Sequence, residues 1–201
     1  MRQAHLILIT GLAGTGKSTL ARAVAGHFGL PLISKDTIKE PLLDVIGAKD
    51  RAESRRLSDA SFAVMFALTR ECVRAGSDVV LEGNFRSGEH EAALRAALAD
   101  TAHSAVAFPD RVRLAQILCR VAEPVRIARL AARAIDPSRH AGHRDAEIAS
   151  ERSRRSAEFL ALPGERFVFD SHDSSSAAGG GLQLRALIES LRQSRSIGSR
   201  E

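Results

Sequence analysis

The chain has 201 residues, 44% of them apolar and 26% charged, which suits one globular domain with a well-buried core. Its net charge of +5 favours polyanionic partners, while the absence of Trp and Tyr argues against the aromatic stacking platforms of single-strand nucleic-acid binders. No run approaches the ~20 apolar residues of a membrane span, and the first apolar run, His5–Thr10, is too short for a signal peptide, so a cytoplasmic location is expected.

Leu6, Leu8 and Ile9 read as a buried strand that ends at Gly11. A glycine-rich turn follows to Gly16. Lys17–Phe28 carries Leu20, Val24 and Phe28 four apart and reads as a helix that Gly29 stops. Pro31–Ser34 is a second strand. Asp36–Ile46 and Ser54–Ala75 read as helices, the latter burying Leu57, Phe62, Met65, Phe66 and Val73 as core. Asp78–Leu81 is a third strand, Gly88–Ala99 a helix, and Arg113–Arg120 a fourth strand. Pro124 opens a helix that runs to about Ala134. Asp136–Asp145 reads as a polar loop, Ala146–Leu160 as a helix, and Phe167–Phe169 as a fifth strand. Ser174–Gly181 is a linker, Leu182–Leu191 a last helix, and the tail after Gln193 frays. Strands alternating with helices predict an α/β fold in three layers, with a mainly parallel five-stranded sheet and ligands at the carboxyl ends of its strands. Residues 1–193 form one domain, with a small Arg-rich lid over about 134–147.

Gly11-Leu-Ala-Gly-Thr-Gly16-Lys17-Ser18-Thr19 matches the phosphate-binding loop G-x-x-x-x-G-K-[ST] in full. The glycines let successive N–H groups point inward, and the helix that opens at Lys17 adds its own N–H groups and positive dipole end. Gly11, Ala13, Gly14, Thr15, Gly16, Lys17, Ser18 and Thr19 are therefore the expected nucleotide-binding residues. Lys17 reaches the β- and γ-phosphates and the Ser18 hydroxyl ligates Mg²⁺, which makes ATP with Mg²⁺ the expected ligand. Thr19 is expected mainly to pack in the helix. Only Lys17, Lys35, Lys39 and Lys49 are lysines among 29 basic residues. A lysine at this position suits a cradle that a planar guanidinium would not fit.

Phosphoryl transfer to a hydroxyl needs a carboxylate that orients the acceptor and takes its proton. Asp36, in Ser34-Lys-Asp-Thr-Ile-Lys-Glu40, stands at a strand's carboxyl end and is the candidate base and acceptor contact; an Asp there also serves as a helix cap. Glu82 ends Val79-Val-Leu-Glu82 and is a candidate to hold Mg²⁺ through water or to position the acceptor. Arg86, in the same loop, is a candidate contact for acceptor or phosphate. Nine arginines and no lysine fall between Arg120 and Arg155. Arg126, Arg129 and Arg133 share a helix face that leads towards Arg139 and Arg144. Arg129 and Arg133 are the candidates to neutralise the transferring phosphoryl group, some of the other arginines being a solvated face. His140 and His143 lack further ligands nearby and read as lid residues rather than a metal site. Cys72 and Cys119 fit no CxxC pattern and read as buried small hydrophobes in a reducing compartment.

Four segments, GLAGTGKST at 11–19, SKDTIKE at 34–40, VVLEGNFR at 79–86 and the Arg129–Arg133 helix with RHAGHRD at 139–145, carry a resemblance over about three-quarters of the chain. It resembles the kinase-like P-loop proteins related to adenylate, gluconate and shikimate kinases. More narrowly, it is similar to predicted kinases grouped with polynucleotide 5′-hydroxyl kinase, zeta toxins and chloramphenicol phosphotransferase. The resemblance implies a lidded five-stranded parallel sheet, Asp36 as base, Glu82 near metal or acceptor, and phosphate-contacting arginines in the lid helix. Ala141 departs from the RHPGH-like run of relatives. Fold analogy alone places base contacts near Phe169–Ser176.

The expected activity is transfer of the γ-phosphoryl group of ATP–Mg²⁺ to a hydroxyl of a small-molecule or nucleotide-like acceptor. The alternative is a nucleotide-dependent switch or ATPase with no small acceptor. The N-K-x-D motif of GTPases and the LSGGQ-like signature of transporter ATPases are both absent. A nucleotide-binding interaction module is a third reading, against which intact Lys17, Ser18 and Asp36 stand.

Overall fold

The computed structural model describes residues 3–99, 111–137, 140, 142, 157–172 and 179–197, with side chains of the last stretch described over 183–193. Five strands, β1 (Ala4–Thr10), β2 (Leu32–Ser34), β3 (Val79–Glu82), β4 (Val112–Arg120) and β5 (Glu165–Asp170), form one sheet in the order β2-β3-β1-β4-β5. Every pairing is parallel. The described helices are α1 (Lys17–Phe28), α2 (Lys35–Ile46), α3 (Arg51–Arg74), α4 (His90–Leu98), α5 (Glu123–Ala134) and α6 (Gly179–Ile197).

β1 is buried along its whole length, as a central parallel strand covered on both faces must be. Its side chains alternate between two cores. Leu6 and Leu8 join Phe62, Met65 and Phe66 of α3 and Leu94 and Leu98 of α4. Ile7 and Ile9 join Leu20, Ala21 and Val24 of α1 and Leu187 and Leu191 of α6. The sheet is thus the middle of three layers, and each fully buried aliphatic side chain contributes about 1.5–3 kcal/mol. Gln116 is the polar exception inside β4. Its amide accepts from the Leu160 N–H at 2.9 Å and donates to the carbonyls of Leu160 and Leu162 at 3.2 and 3.3 Å, which ties the segment before β5 to the sheet.

Local signals set the helix ends. Gly29 closes α1 in the left-handed conformation, its N–H on the Ala25 carbonyl. Asp50 caps α3 by accepting from the Glu53 N–H at 2.8 Å, and Glu53 accepts from the Lys49 N–H at 2.7 Å. Three expectations change. Gly179–Gly181 belong to α6 rather than to a linker, and that helix continues past Gln193 to Ile197. Residues 157–160 are irregular rather than helical, the rest of that expected helix lying outside the described residues. Cys119 is buried as expected, whereas Cys72 is half-buried and packs against the core from its edge.

Candidate active site

The register brings three strand ends together. Glu82 at the end of β3 lies opposite Ser34 at the end of β2 and opposite Ile9 of β1, one residue before Thr10 gives way to the glycine-rich loop. This is the carboxyl edge where parallel sheets bind ligands.

The loop is shaped for close approach of its backbone. Gly11 has φ 148°, and a Cβ there would lie 2.5 Å from the Cys119 carbonyl oxygen. Gly16 has φ 85°, and a Cβ there would lie 3.2 Å from Ser171 Cβ. Neither position admits a side chain at low cost. Gly14 lies against Arg126 and Leu130 of α5. Three donors converge on the Leu12 carbonyl: the Thr15 N–H at 3.3 Å, Thr15 Oγ1 at 2.9 Å and Lys17 Nζ at 2.9 Å. Thr15 and Lys17 are buried. Burial lowers the Lys17 pKa, while Glu82, Cys119 and Asp36 oppose that shift and Arg133 adds to it. Burial also pushes the Cys119 thiol up to about 12, so it stays neutral beside the loop. The first turn of α1 holds no acidic residue, which leaves its positive end to an anion.

A cleft of 450 Å³ opens from this loop, and Ala13, Lys17, Ser18, Thr19, Asp36, Glu82, Arg86 and Arg133 all line it. Thr19 is exposed on α1 and faces the cleft instead of packing in the helix. Glu82 is buried and accepts from Ser34 Oγ at 2.6 Å. Asp36 stands in the first turn of α2 and its Oδ1 accepts from Lys35 Nζ at 3.0 Å. The Ser18 hydroxyl and the Glu82 carboxylate are oxygen donors suited to a hard cation that keeps waters and takes phosphate oxygens, so the residues present fit Mg²⁺. Among the described residues no group of three or more His, Cys, Asp or Glu could hold a metal unaided.

The arginines have separate fates. Arg86 reaches the cleft, but its Nη2 is held by Asp59 at 2.7 Å and Glu89 at 2.8 Å. Its N–H donates to His90 Nδ1 at 2.9 Å. His90 is buried against Phe62, Phe66 and Phe85; burial, with Arg86 adding to it, lowers its pKa to about 4. The shared face of α5 does not act as a unit. Arg126 is buried beside Gly14, Arg129 forks onto Ser171 with Nη1 at 2.7 Å from Oγ and Nη2 at 3.0 Å from the carbonyl, and Arg133 enters the cleft. Of the expected lid, Asp136 and Gly142 line the cleft, and His140 Nε2 meets Asp44 of α2 at 2.9 Å. Arg139, Ala141, His143, Arg144 and Asp145 lie outside the described residues, as do 173–176 of the expected base-contacting stretch.

The sequence reading missed much of the cleft lining. Lys35 and Lys39 of α2 and Arg51, Ser54, Arg55, Ser58 and Phe62 of α3 line it, with Arg22 of α1. A signal was present, since 51, 54, 55, 58 and 62 recur at helical spacing.

A family model described as an AAA domain, AAA_33, matches residues 6–157. An uncharacterized protein of Mycobacterium tuberculosis is 32% identical over 164 residues, a match that covers 77% of this chain and 30% of that protein's length. A crystal structure of a kinase candidate from Chloroflexus aurantiacus superposes with a TM-score of 0.78 at 27% identity, covering 98% of this chain and 99% of that one. Shikimate kinase from Bacteroides thetaiotaomicron shares the fold, with a TM-score of 0.51 at 18% identity over 93% of this chain and 98% of that one. No described helix is long and apolar enough to cross a membrane.

Proposed function

The chain belongs to AAA_33, a P-loop kinase family, and from that premise we propose that it transfers the γ-phosphoryl group of ATP, as its Mg²⁺ complex, to a hydroxyl of a small-molecule or nucleotide-like acceptor. The observation that carries this reading is the convergence of Lys17, Asp36, Glu82 and Arg133 on one cleft at the carboxyl edge of the sheet.

The loop N–H groups and the α1 dipole receive the β- and γ-phosphates, and Lys17 adds its ammonium. Asp36 orients the acceptor hydroxyl and takes its proton as the new oxygen–phosphorus bond forms and the bond to the ADP oxygen breaks. Arg133 neutralises charge on the transferring group from inside the cleft. Arg129 holds Ser171 against Gly16 and acts as a positioning residue for the loop. The Ser18 hydroxyl and, through water, the Glu82 carboxylate would hold Mg²⁺, which would supply further charge neutralisation. Arg86, fixed by Asp59 and Glu89, presents its remaining donors to the acceptor.

The test is ATP consumption with Mg²⁺ across nucleosides, 5′-hydroxyl oligonucleotides, sugar nucleotides and hydroxyl-bearing antibiotics. One acceptor raising turnover well above background, with phosphate on the product, supports the reading. Hydrolysis indifferent to every small acceptor but stimulated by protein or nucleic acid replaces it with a nucleotide-dependent switch.

A further inference from the structure

The buried face of α2 is partly basic. Lys35, Lys39 and Leu43, four apart, are its buried residues, so Lys35 occupies a position where the helical pattern calls for an apolar side chain. Its stem lies beside Gly83: a Cβ at that glycine would stand 3.4 Å from Lys35 Cβ and 3.2 Å from Phe62 Cε1. Lys35 lines the cleft there, and its Nζ donates to Asp36 Oδ1 at 3.0 Å. The Lys35 side chain is 11% exposed and that of Asp36 34%, so the carboxylate is the more open of the pair to solvent.

Stability alone gives little reason for this lysine. It stands in the first turn of α2, where the helix dipole favours an acid and disfavours a cation. It does not cap the helix: the N-cap is Ser34, whose hydroxyl donates to Glu82 instead. The ion pair joins neighbouring residues of one helix, so it ties no two elements together, and an ion pair with a partly exposed partner contributes little to folding. An apolar side chain would fill the position without opposing the dipole. What the ammonium does, and an apolar side chain would not, is fix one oxygen of the carboxylate that we read as the base. A lysine suits that task better than an arginine, because a guanidinium forks onto both oxygens of a carboxylate whereas an ammonium bonds as a point charge.

Building on the phosphotransferase reading, we infer that Lys35 is a positioning residue for Asp36: its ammonium anchors Oδ1 and so sets the plane of the carboxylate that meets the acceptor hydroxyl. The proton passes from that hydroxyl to Asp36 as the new oxygen–phosphorus bond forms and the bond to the ADP oxygen breaks. Lys35 itself neither gives nor takes a proton. A carboxylate that is free to turn spends part of its time misaligned, which slows the chemical step and leaves nucleotide binding alone.

The test is a double-mutant cycle on the full chain, with ATP, Mg²⁺ and an acceptor that the native chain phosphorylates. Lys35→Met keeps most of the stem and removes the ammonium. It should lower kcat by about 10- to 10²-fold, while acceptor KM and the calorimetric Kd of AMPPNP stay within about twofold of native. In the Asp36→Ala background the same substitution should lower kcat by less than about twofold, because a residue that acts through Asp36 has nothing left to act on. Where Lys35→Met does not fold, as judged by its thermal transition, Lys35→Gln is read by the same criteria. A kcat that stays native, an effect confined to KM or to AMPPNP binding, or a loss as large without Asp36 as with it overturns the inference. The two readings fail separately. A native chain that transfers phosphate to no acceptor overturns the kinase reading and this inference with it. A native chain that transfers, beside a Lys35→Met of undiminished kcat, overturns this inference alone.

Discussion

Ser34 Oγ donates to Glu82 Oε2 at 2.6 Å, which joins the last residues of β2 and β3 side chain to side chain at the floor of the cleft. A hydrogen bond to a charged group contributes about 1.5–3 kcal/mol. Ser34→Ala is therefore expected to lower Tm by several degrees and, by releasing the carboxylate, kcat by about tenfold. Glu82→Gln keeps the shape but removes the charge, and should cost about 10²-fold in kcat and raise the Mg²⁺ concentration for half-maximal rate. Titration of activity against Mg²⁺ checks both, and an unchanged Mg²⁺ requirement in Glu82→Gln removes Glu82 from the metal site.

Lys17 and Asp36 separate binding from chemistry. Lys17→Ala empties the base of the cleft of its buried ammonium, and nucleotide binding measured by calorimetry should weaken by about 10²-fold or more. Asp36→Asn should leave ATP affinity nearly unchanged and lower kcat by about 10²–10⁴-fold, the usual contribution of a positioned base. Transfer by Asp36→Asn at a near-native rate would place the base elsewhere.

Arg129 and Arg133 stand four residues apart on α5 but should fail differently. Arg129→Lys retains the charge and loses the two-pronged grip on Ser171, so a lower Tm and a nucleotide Kd raised about five- to tenfold are expected. Arg133→Lys should lower kcat while nucleotide Kd changes little. Thermal unfolding with and without nucleotide, beside steady-state kinetics, distinguishes them, and the opposite pattern would exchange their roles.

His90 gives the fold a built-in acid sensitivity. Its Nδ1 accepts the Arg86 N–H, and burial holds its pKa at about 4 against 6.5 for an ordinary histidine. The unfolded chain therefore binds the proton more readily, and stability should fall as pH drops from about 6.5 to about 4, then lose this dependence below that. His90→Asn should flatten the slope of denaturant midpoint against pH across that window. An unchanged slope would assign the acid sensitivity to other groups.

Most of the frame was legible because local and global signals agree there. The Lys17–Phe28 helix has its motif at one end and a left-handed glycine at the other, and both bounds hold. The order of strands along the chain was readable from apolar runs, and membership of the P-loop kinase family accords with the motif. The contribution of α3 to the cleft was not readable. Arg51, Ser54, Arg55 and Ser58 make the same pattern as a solvated helix face, and only the packing of α3 on the sheet brings them to the cleft. The shared face of Arg126, Arg129 and Arg133 misled for the complementary reason. Helical spacing groups the three, but the phosphate loop lies over one end of that face, buries Arg126 and leaves Arg133 to the cleft. The glycines at 179–181 argue for a linker, yet they open a helix whose Leu187 and Leu191 join the core that includes Phe169. Tertiary packing outweighs propensity there.

The central place of β1 couples the nucleotide cradle to the completion of folding. The strand that launches the loop takes its hydrogen bonds from residues 79–82 on one side and 112–118 on the other, so it waits for partners made much later than itself. Such long-range closure slows folding, because loop entropy is spent before the contacts that reward it exist. A nascent chain that stops short of β4 leaves β1 with an open edge, and the phosphate loop unsupported. Conversely, nucleotide bound to the finished loop favours the assembled sheet by mass action, so amide hydrogens of β1, β3 and β4 should be protected together when nucleotide is added.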